Sequence, residues 1–212
     1  MISVSLGVNM PQPLSRVTPE AGIVVIGNAG DRVLARHPDL AVLAIEAIAS
    51  WSNVESFMLG LFVELFGGHN SLATEVFLSL DGQAAKSAAI NVAAASVLKD
   101  RDAELRVLRA ILAIAKTNEK DRNKLAHWTW GDSPNLPDAV LLVDPRTTVH
   151  ELDRSYVYVY RAQDFIAITQ ANDRLCGYGL SFRLILRGHM ANRDGSLLAE
   201  LAAEQEIQER LR

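Results

Sequence analysis

The sequence predicts a mainly α-helical protein that carries one small β-hairpin. From residue 38 onward, apolar residues recur at spacings of three and four, the pattern of helices that bury one face. Two stretches, 139–144 and 155–161, instead hold β-branched and aromatic residues, which is typical of strands. Hydrophobic residues make up 49% of the 212 residues, enough for one sizeable core. We therefore expect a single helical domain over 38–212, preceded by an irregular segment over 1–37.

The composition argues against several classes of protein. The net charge is −4, so any RNA contact must come from a local basic cluster rather than from a generally basic surface. Cys176 is the only cysteine, which excludes an internal disulfide and a cysteine-based zinc site. The histidines are scattered, so we expect neither a metal nor another cofactor. The N-terminus lacks the basic start of a secretory signal, and a cytoplasmic location is the corresponding expectation.

The first long helix is expected over about 39–66, because Pro38 suits a first helical turn and Gly67–Gly68 stop the helix. Glutamates interrupt this apolar segment, and charges are costly in lipid, so we expect a buried helix rather than a membrane span. At about 100° per residue, one polar stripe should face solvent: Glu46, Ser50, Asn53, Gly60 and Glu64. The apolar set opposite comprises Leu40, Ile48, Trp51, Leu59, Phe62 and Phe66.

Glu55 falls in the middle of that apolar set, one turn after Trp51. Burying a carboxylate without a partner is very costly, so a buried Glu55 needs a donor or a cation. Two interpretations are open: an ion pair that serves packing, or a group that supports the candidate site by holding Arg122.

Further helices are expected over about 70–80, 82–98 and 101–117, and, after the hairpin, over about 162–187 and 195–211. The core positions of the 101–117 helix are Leu105, Leu108, Leu112 and Ala115. The polar run KTNEKD is expected to end that helix, with Thr117 or Asn118 available to cap a new, short one. A hairpin with a long connection follows over about 139–161.

The short helix would carry residues 122–131, which read RNKLAHWTWG. Arg122 and His127 lie about 140° apart on an ideal helix, whereas Asn123 and His127 share a face. For Arg122 and His127 to act on one group, either the helix begins near Arg122 or a second copy of the chain supplies one of them. Both arrangements suit a phosphate, because arginine offers a charged planar fork and histidine moves a proton near neutral pH. A helix N-terminus would add backbone donors.

The stretch RNKLAH resembles the motif of HEPN domains, in which an arginine and an adjacent polar residue precede a histidine by a gap of four to six positions. Here these residues are Arg122, Asn123 and His127, with a gap of four. A long amphipathic helix precedes the motif, and the helix that carries WSNVE (51–55) looks like the first helix of such bundles. The resemblance covers about 38–131 and leaves the hairpin and the last helices as an elaboration.

The resemblance implies a HEPN-like helical bundle that forms a homodimer, in which two motifs line one cleft. Many such domains are metal-independent endoribonucleases of toxin–antitoxin, CRISPR and anti-phage defence systems in prokaryotes. The implied reaction is attack of a ribose 2′-hydroxyl on the adjacent phosphate, which leaves a 2′,3′-cyclic phosphate. His127 would transfer the proton, Arg122 would stabilise the phosphate charge, and Asn123 would orient His127 or the phosphate by hydrogen bonding. An antitoxin or a nucleotidyltransferase is the partner that such systems imply.

Other interpretations of the same residues stay open. A non-catalytic HEPN-type protein would use the motif to bind a nucleotide or a partner. In a purely structural role, Arg122 would cap helix carboxyl ends and His127 would be a satisfied core group. Lys124 continues a basic stripe that is either an RNA track or a solvated face: Arg106, Arg109, Lys116 and Lys120. The tryptophans after the histidine are expected to pack in the core rather than to stack on bases.

Overall fold

A computed structural model describes residues 11–17, 25–26, 32–68, 70–148, 153–188 and 194–211. Contacts divide the chain into two compact units, where the sequence predicted one domain from residue 38 onward. We call the first, Met1–Ser50 with Lys120–Ala171, the sheet unit. The second, Trp51–Glu119 with Asn172–Arg212, is the helical unit.

The protein is mainly helical, as predicted. The long helices are α3 (Pro38–Leu65), α5 (Gly82–Val97), α6 (Asp102–His127) and α7 (Ala162–Leu186). The shorter helices are α1 (Leu14–Val17), α2 (Val33–Arg36), α4 (Ser71–Leu78), α8 (Ser196–Ala203) and α9 (Gln205–Leu211). The last two replace the single helix expected over 195–211, because Glu204 adopts an extended conformation between them. Among the described residues, none of these helices is both long and apolar enough to cross a membrane.

The sheet is larger than the predicted hairpin. Its strands are β1 (Gln12–Pro13), β2 (Val25–Ile26), β3 (Thr129–Asp132), β4 (Val140–Val143) and β5 (Val157–Tyr160). They form one antiparallel sheet in the order β1-β5-β4-β3-β2. The hairpin of β4 and β5 is confirmed, with Val140 opposite Tyr160 and Val143 opposite Val157. The expectation that 1–37 is irregular is wrong in part, because two edge strands and two helical turns come from it.

Both faces of the sheet are buried. On one face, Val140, Leu142 and Tyr160 pack in a cluster with residues of α3, α6 and α7. On the other, the alternate residues Leu141 and Val143 pack with β5 and with Leu14, Leu136 and Ala139. Burial on both sides explains why β4 is a continuous apolar run instead of an alternating one.

The helical unit buries a single apolar core. Residues at three- and four-residue steps supply it, as helical periodicity requires. From α6 they include Val107, Leu108, Ile111, Leu112 and Ala115, and from α7 Leu175, Tyr178, Phe182 and Ile185. Three of the four predicted core positions of α6 are buried, and Leu105 packs against the same cluster while partly exposed.

The predicted break in α6 does not occur. The helix runs without interruption from Asp102 to His127, through the polar run KTNEKD. Neither expected N-cap acts as one: the hydroxyl of Thr117 donates back to the carbonyl of Ala113, at 3.1 Å, and the Asn118 amide donates to Asn172, at 3.2 Å. Lysine and glutamate in the run are good helix formers, so nothing in it stops propagation.

Candidate functional site

The motif RNKLAH (122–127) forms the last turn and a half of α6, in the sheet unit. Arg122 and Asn123 are half-buried, and His127 is exposed. The motif therefore lies at the C-terminal end of a long helix, and the N-terminal position suggested by the sequence is wrong. A helix C-terminus presents carbonyl groups and partial negative charge, so it lacks the backbone donors that would favour an anion.

A side-chain contact joins two of the three motif residues, Arg122 and Asn123. Nη1 of Arg122 donates to Oδ1 of Asn123, at 3.1 Å. Asn123 and His127 are one turn apart and lie within about 40° of each other around the helix. The guanidinium of Arg122 is thus turned toward the helix face that carries the histidine. Through this contact, one chain can direct the Arg122 guanidinium and the His127 imidazole to the same side of α6, although the two residues are five positions apart.

Arg122 has no carboxylate partner among the residues that the structure describes. Its Nε is buried and makes no hydrogen bond there. A buried donor without a partner costs about 1–3 kcal/mol, and more when the group is charged. An anion bound to the rest of the guanidinium would offset part of that cost.

His127 is not held by another side chain. Within the described residues it has no hydrogen bond or ion pair, and its side chain is exposed. This excludes a satisfied core histidine as its role. It also means that the imidazole has no fixed orientation unless a ligand or another molecule supplies one.

Lys124 lies on the same turn and has three contacts. Its Nζ is 3.0 Å from Oδ1 of Asp121. The same ammonium lies 5.9 Å from the ring centroid of Trp128 and 5.6 Å from that of Tyr158. The two rings contact each other, with centroids 5.7 Å apart. Asp121 and Trp128 could have been found from helical spacing, whereas Tyr158 depends on the sheet.

The tryptophans after the histidine pack as expected. Trp128 and Trp130 are half-buried against the sheet-unit core. Trp130 stacks on Phe165, with centroids 6.4 Å apart. Trp130 belongs to β3, directly opposite Leu142, so the bulky end of the motif is the start of a strand.

Tyr160 is a buried polar group that the sequence analysis did not single out. Its hydroxyl has no partner among the described residues. Burial raises the pKa of Tyr160 well above its usual range, and the negative charges of Asp121 and Asp164 act in the same direction. The hydroxyl therefore stays protonated and adds an unpaired donor to this unit.

Glu55 differs from its prediction. The side chain is exposed, and Oε1 accepts a hydrogen bond from Nε1 of Trp51 at 3.3 Å. The expectation of a buried carboxylate is wrong. The role proposed for Glu55, holding Arg122, loses its physical motivation, because an exposed carboxylate needs no buried cation.

The basic stripe of α6 is exposed in the structure: Arg106, Arg109, Lys116 and Lys120. Among the described residues, no three histidine, cysteine, aspartate or glutamate side chains form a group that could hold a metal ion. No protein-family model matches the chain, and no curated protein or solved structure shows significant similarity to it.

Proposed function

We propose that the protein is a HEPN-like, metal-independent endoribonuclease. The observation that carries the proposal is the contact of Arg122 with Asn123, which turns the guanidinium toward the face of His127. A permanent cation without a carboxylate partner and a nearby exposed imidazole are what cleavage at a phosphodiester needs.

In the proposed reaction, the ribose 2′-oxygen attacks the adjacent phosphorus while His127 accepts the 2′-hydroxyl proton. The bond from phosphorus to the 5′-oxygen breaks, and this oxygen leaves with a proton from water or from the histidine of a second copy. Arg122 donates to the phosphate oxygens as negative charge develops on them. Asn123 holds the guanidinium in place. The products are a 2′,3′-cyclic phosphate and a 5′-hydroxyl.

A homodimer remains part of the proposal. The first long helix leaves apolar side chains exposed: Val42 and Ile45 of α3 are 57% and 61% exposed. They are three residues apart and share a helix face. An antitoxin or nucleotidyltransferase partner and a cytoplasmic location are retained as proposals on the resemblance and composition alone.

A second candidate is a non-catalytic module that binds RNA or a nucleotide. One observation favours it: His127 has no described partner to orient its ring for proton transfer. In such a protein Arg122 would still bind phosphate, and loss of the imidazole would change affinity little.

The discriminating experiment incubates purified protein with mixed single-stranded RNA in EDTA. We expect wild type to cleave RNA but not DNA, which lacks the 2′-hydroxyl, and to leave 2′,3′-cyclic phosphate ends. His127→Ala should lower the cleavage rate by about 10²–10⁴, the usual contribution of a positioned acid–base group. Arg122→Ala should be comparably slow, and Arg122→Lys should recover only part of the rate, since an ammonium lacks the bidentate fork.

Arg16→Ala is the matched control, because it removes an exposed arginine of the same unit that lies in α1, outside the basic stripe of α6. Its rate should equal that of wild type, and circular dichroism should show every variant folded. RNA that stays intact with wild type but binds in an Arg122-dependent way would support the binding module instead. Equal cleavage by wild type and His127→Ala would place the activity outside this site.

A further inference from the structure

We infer that Lys124 is a second phosphate-binding residue of the site, held in position by Trp128 and Tyr158. The inference rests on the proposed RNA-directed function and adds a binding role that the motif does not include. The ligand is a phosphate of the same RNA strand, next to the one at Arg122.

The position of Lys124 around α6 is the first support. Around an ideal helix, Asn123 lies about 40° to one side of His127 and Lys124 about 60° to the other. Arg122 contacts Asn123, so its charge approaches the histidine from the first side. Lys124 places a second positive charge on the opposite side. A strand passing over His127 would therefore meet one cation before it and one after it.

Immobilisation of the ammonium is the second support. A lysine side chain in solution samples many rotamers, and fixing it costs about 2 kcal/mol of entropy. Here the side chain is 29% exposed, and its ammonium lies within 6 Å of two ring centroids, a distance at which cation–π attraction operates. The contacts with Trp128 and Tyr158 therefore order the Lys124 side chain in the free protein. Less conformational entropy is then lost when a ligand binds.

The remaining hydrogen-bonding capacity of Lys124 is the third support. An ammonium has three donors. Asp121 takes one of them at 3.0 Å, and the contacts with the rings are electrostatic and use no acceptor oxygen. The ion pair with Asp121 is itself partly exposed, with the carboxylate 37% accessible, and such pairs contribute little to stability. A phosphate oxygen can therefore bind the ammonium without breaking a strong interaction.

The test is the salt dependence of RNA binding. The probe is fluorescein-labelled single-stranded RNA of mixed sequence with 2′-O-methyl riboses, which binds but cannot be cleaved by 2′-hydroxyl attack. Each phosphate neutralised on a single strand contributes about −0.7 to the slope of log K against log salt concentration. Lys124→Gln keeps most of the aliphatic side chain but removes the charge, so the slope should become less negative by about 0.7. Lys124→Arg keeps the charge and should have the wild-type slope.

Lys86→Gln is the matched control. Lys86 also lies over an aromatic ring, that of Phe77 at 5.7 Å, but in the helical unit. Its replacement removes a similar cation–π contact and should leave the slope unchanged. A merely structural role for Lys124 would lower the melting temperature without changing the slope.

The outcomes separate the two proposals. If wild type binds the probe and cleaves unmodified RNA, but Lys124→Gln has the wild-type slope, the role of Lys124 is overturned and the ribonuclease proposal stands. A slope reduced equally by Lys86→Gln would also overturn it. If wild type neither binds nor cleaves RNA, both proposals fail together.

Discussion

Two buried tyrosines, one in each unit, differ in the surroundings of their hydroxyl groups. In the helical unit, the hydroxyl of Tyr178 lies near the carboxylates of Glu206 and Glu204. In the sheet unit, the hydroxyl of Tyr160 has no partner among the described residues. Among the described residues, other buried polar atoms without a hydrogen bond occur in both units: Nε of Arg122 in the sheet unit, and Nε of Arg183 and Oε1 of Gln83 in the helical unit. The contrast therefore concerns the two tyrosine hydroxyls, and removing the hydroxyl is expected to have different effects at the two positions.

The largest effect on stability is expected at Gly179, where α7 packs closely against Phe57 in the helical unit. A Cβ on Gly179 of α7 would lie 2.9 Å from Cγ and Cε2 of Phe57, closer than such atoms approach. Because an aromatic ring in a packed core moves with difficulty, Gly179→Ala should destabilise the protein by about 1–3 kcal/mol in chemical denaturation.

Gly177 provides the control on the same helix. A Cβ there meets nothing within 4 Å. Gly177→Ala should therefore stabilise the protein by up to about 1 kcal/mol through helix propensity. Equal effects of the two substitutions would show that the close contact with Phe57 is absent in solution.

The tyrosine comparison predicts an intermediate effect. Tyr178→Phe removes a hydroxyl donor that lies near the carboxylates of Glu206 and Glu204, and it should cost about 0.5–1.5 kcal/mol. Tyr160→Phe removes an unpaired hydroxyl and should be neutral or stabilising. Denaturation midpoints of the two variants at neutral pH measure the difference directly. If Tyr160→Phe lost more stability than Tyr178→Phe, the hydroxyl of Tyr160 would have a hydrogen-bond partner in solution. The contrast between the two tyrosines would then disappear.

The same tyrosine gives a pH dependence. Burial raises the pKa of Tyr178 to about 12, and the carboxylates of Glu206 and Glu204 act in the same direction. The unfolded value is about 10. Because the folded pKa is the higher one, the contribution to stability is complete below pH 10 and is lost as the pH rises through 12. The stability of Tyr178→Phe should therefore fall less than that of wild type over this range.

The smallest effect is expected at Glu55. Its carboxylate is exposed and accepts one long hydrogen bond from Trp51. Glu55→Ala should cost about 0.5 kcal/mol, as for most surface positions. Glu55→Gln keeps an acceptor and should cost less. A loss of several kcal/mol would instead indicate the buried ion pair that the sequence suggested.

The error at Glu55 has an identifiable origin. The prediction centred the buried face of α3 on bulky residues such as Ile48 and Phe66, yet the first is half-buried and the second 52% exposed. The true stripe combines small residues with large ones: Ala44, Ala47, Trp51, Val54, Met58, Leu61 and Leu65. Its centre lies roughly 75° from Glu55 around the helix. The same shift explains why Ser50, predicted to be exposed, is 8% exposed.

Predictability also differs between the units. The helices of the helical unit follow from local periodicity, and their predicted bounds are accurate to a few residues, apart from the C-terminal end of α6 and the break before α9. In the sheet unit, β1 and β2 have two residues each and β3 has four, too few to show a period. The types of residue in the motif could be read from the sequence, but the position at the end of α6 could not. That position depends on whether the helix ends at the run KTNEKD. Helix propensity alone is too weak to decide this.

The most direct test of the site is the cleavage rate of the double variant Arg122→Ala, His127→Ala beside the two single variants. If both side chains act on one phosphate in one transition state, their effects are not additive, and the double variant should be about as slow as the slower single variant. A double-variant loss equal to the product of the two single losses would show that the residues act independently. Wild-type protein that leaves RNA intact in EDTA would contradict the enzymatic account altogether.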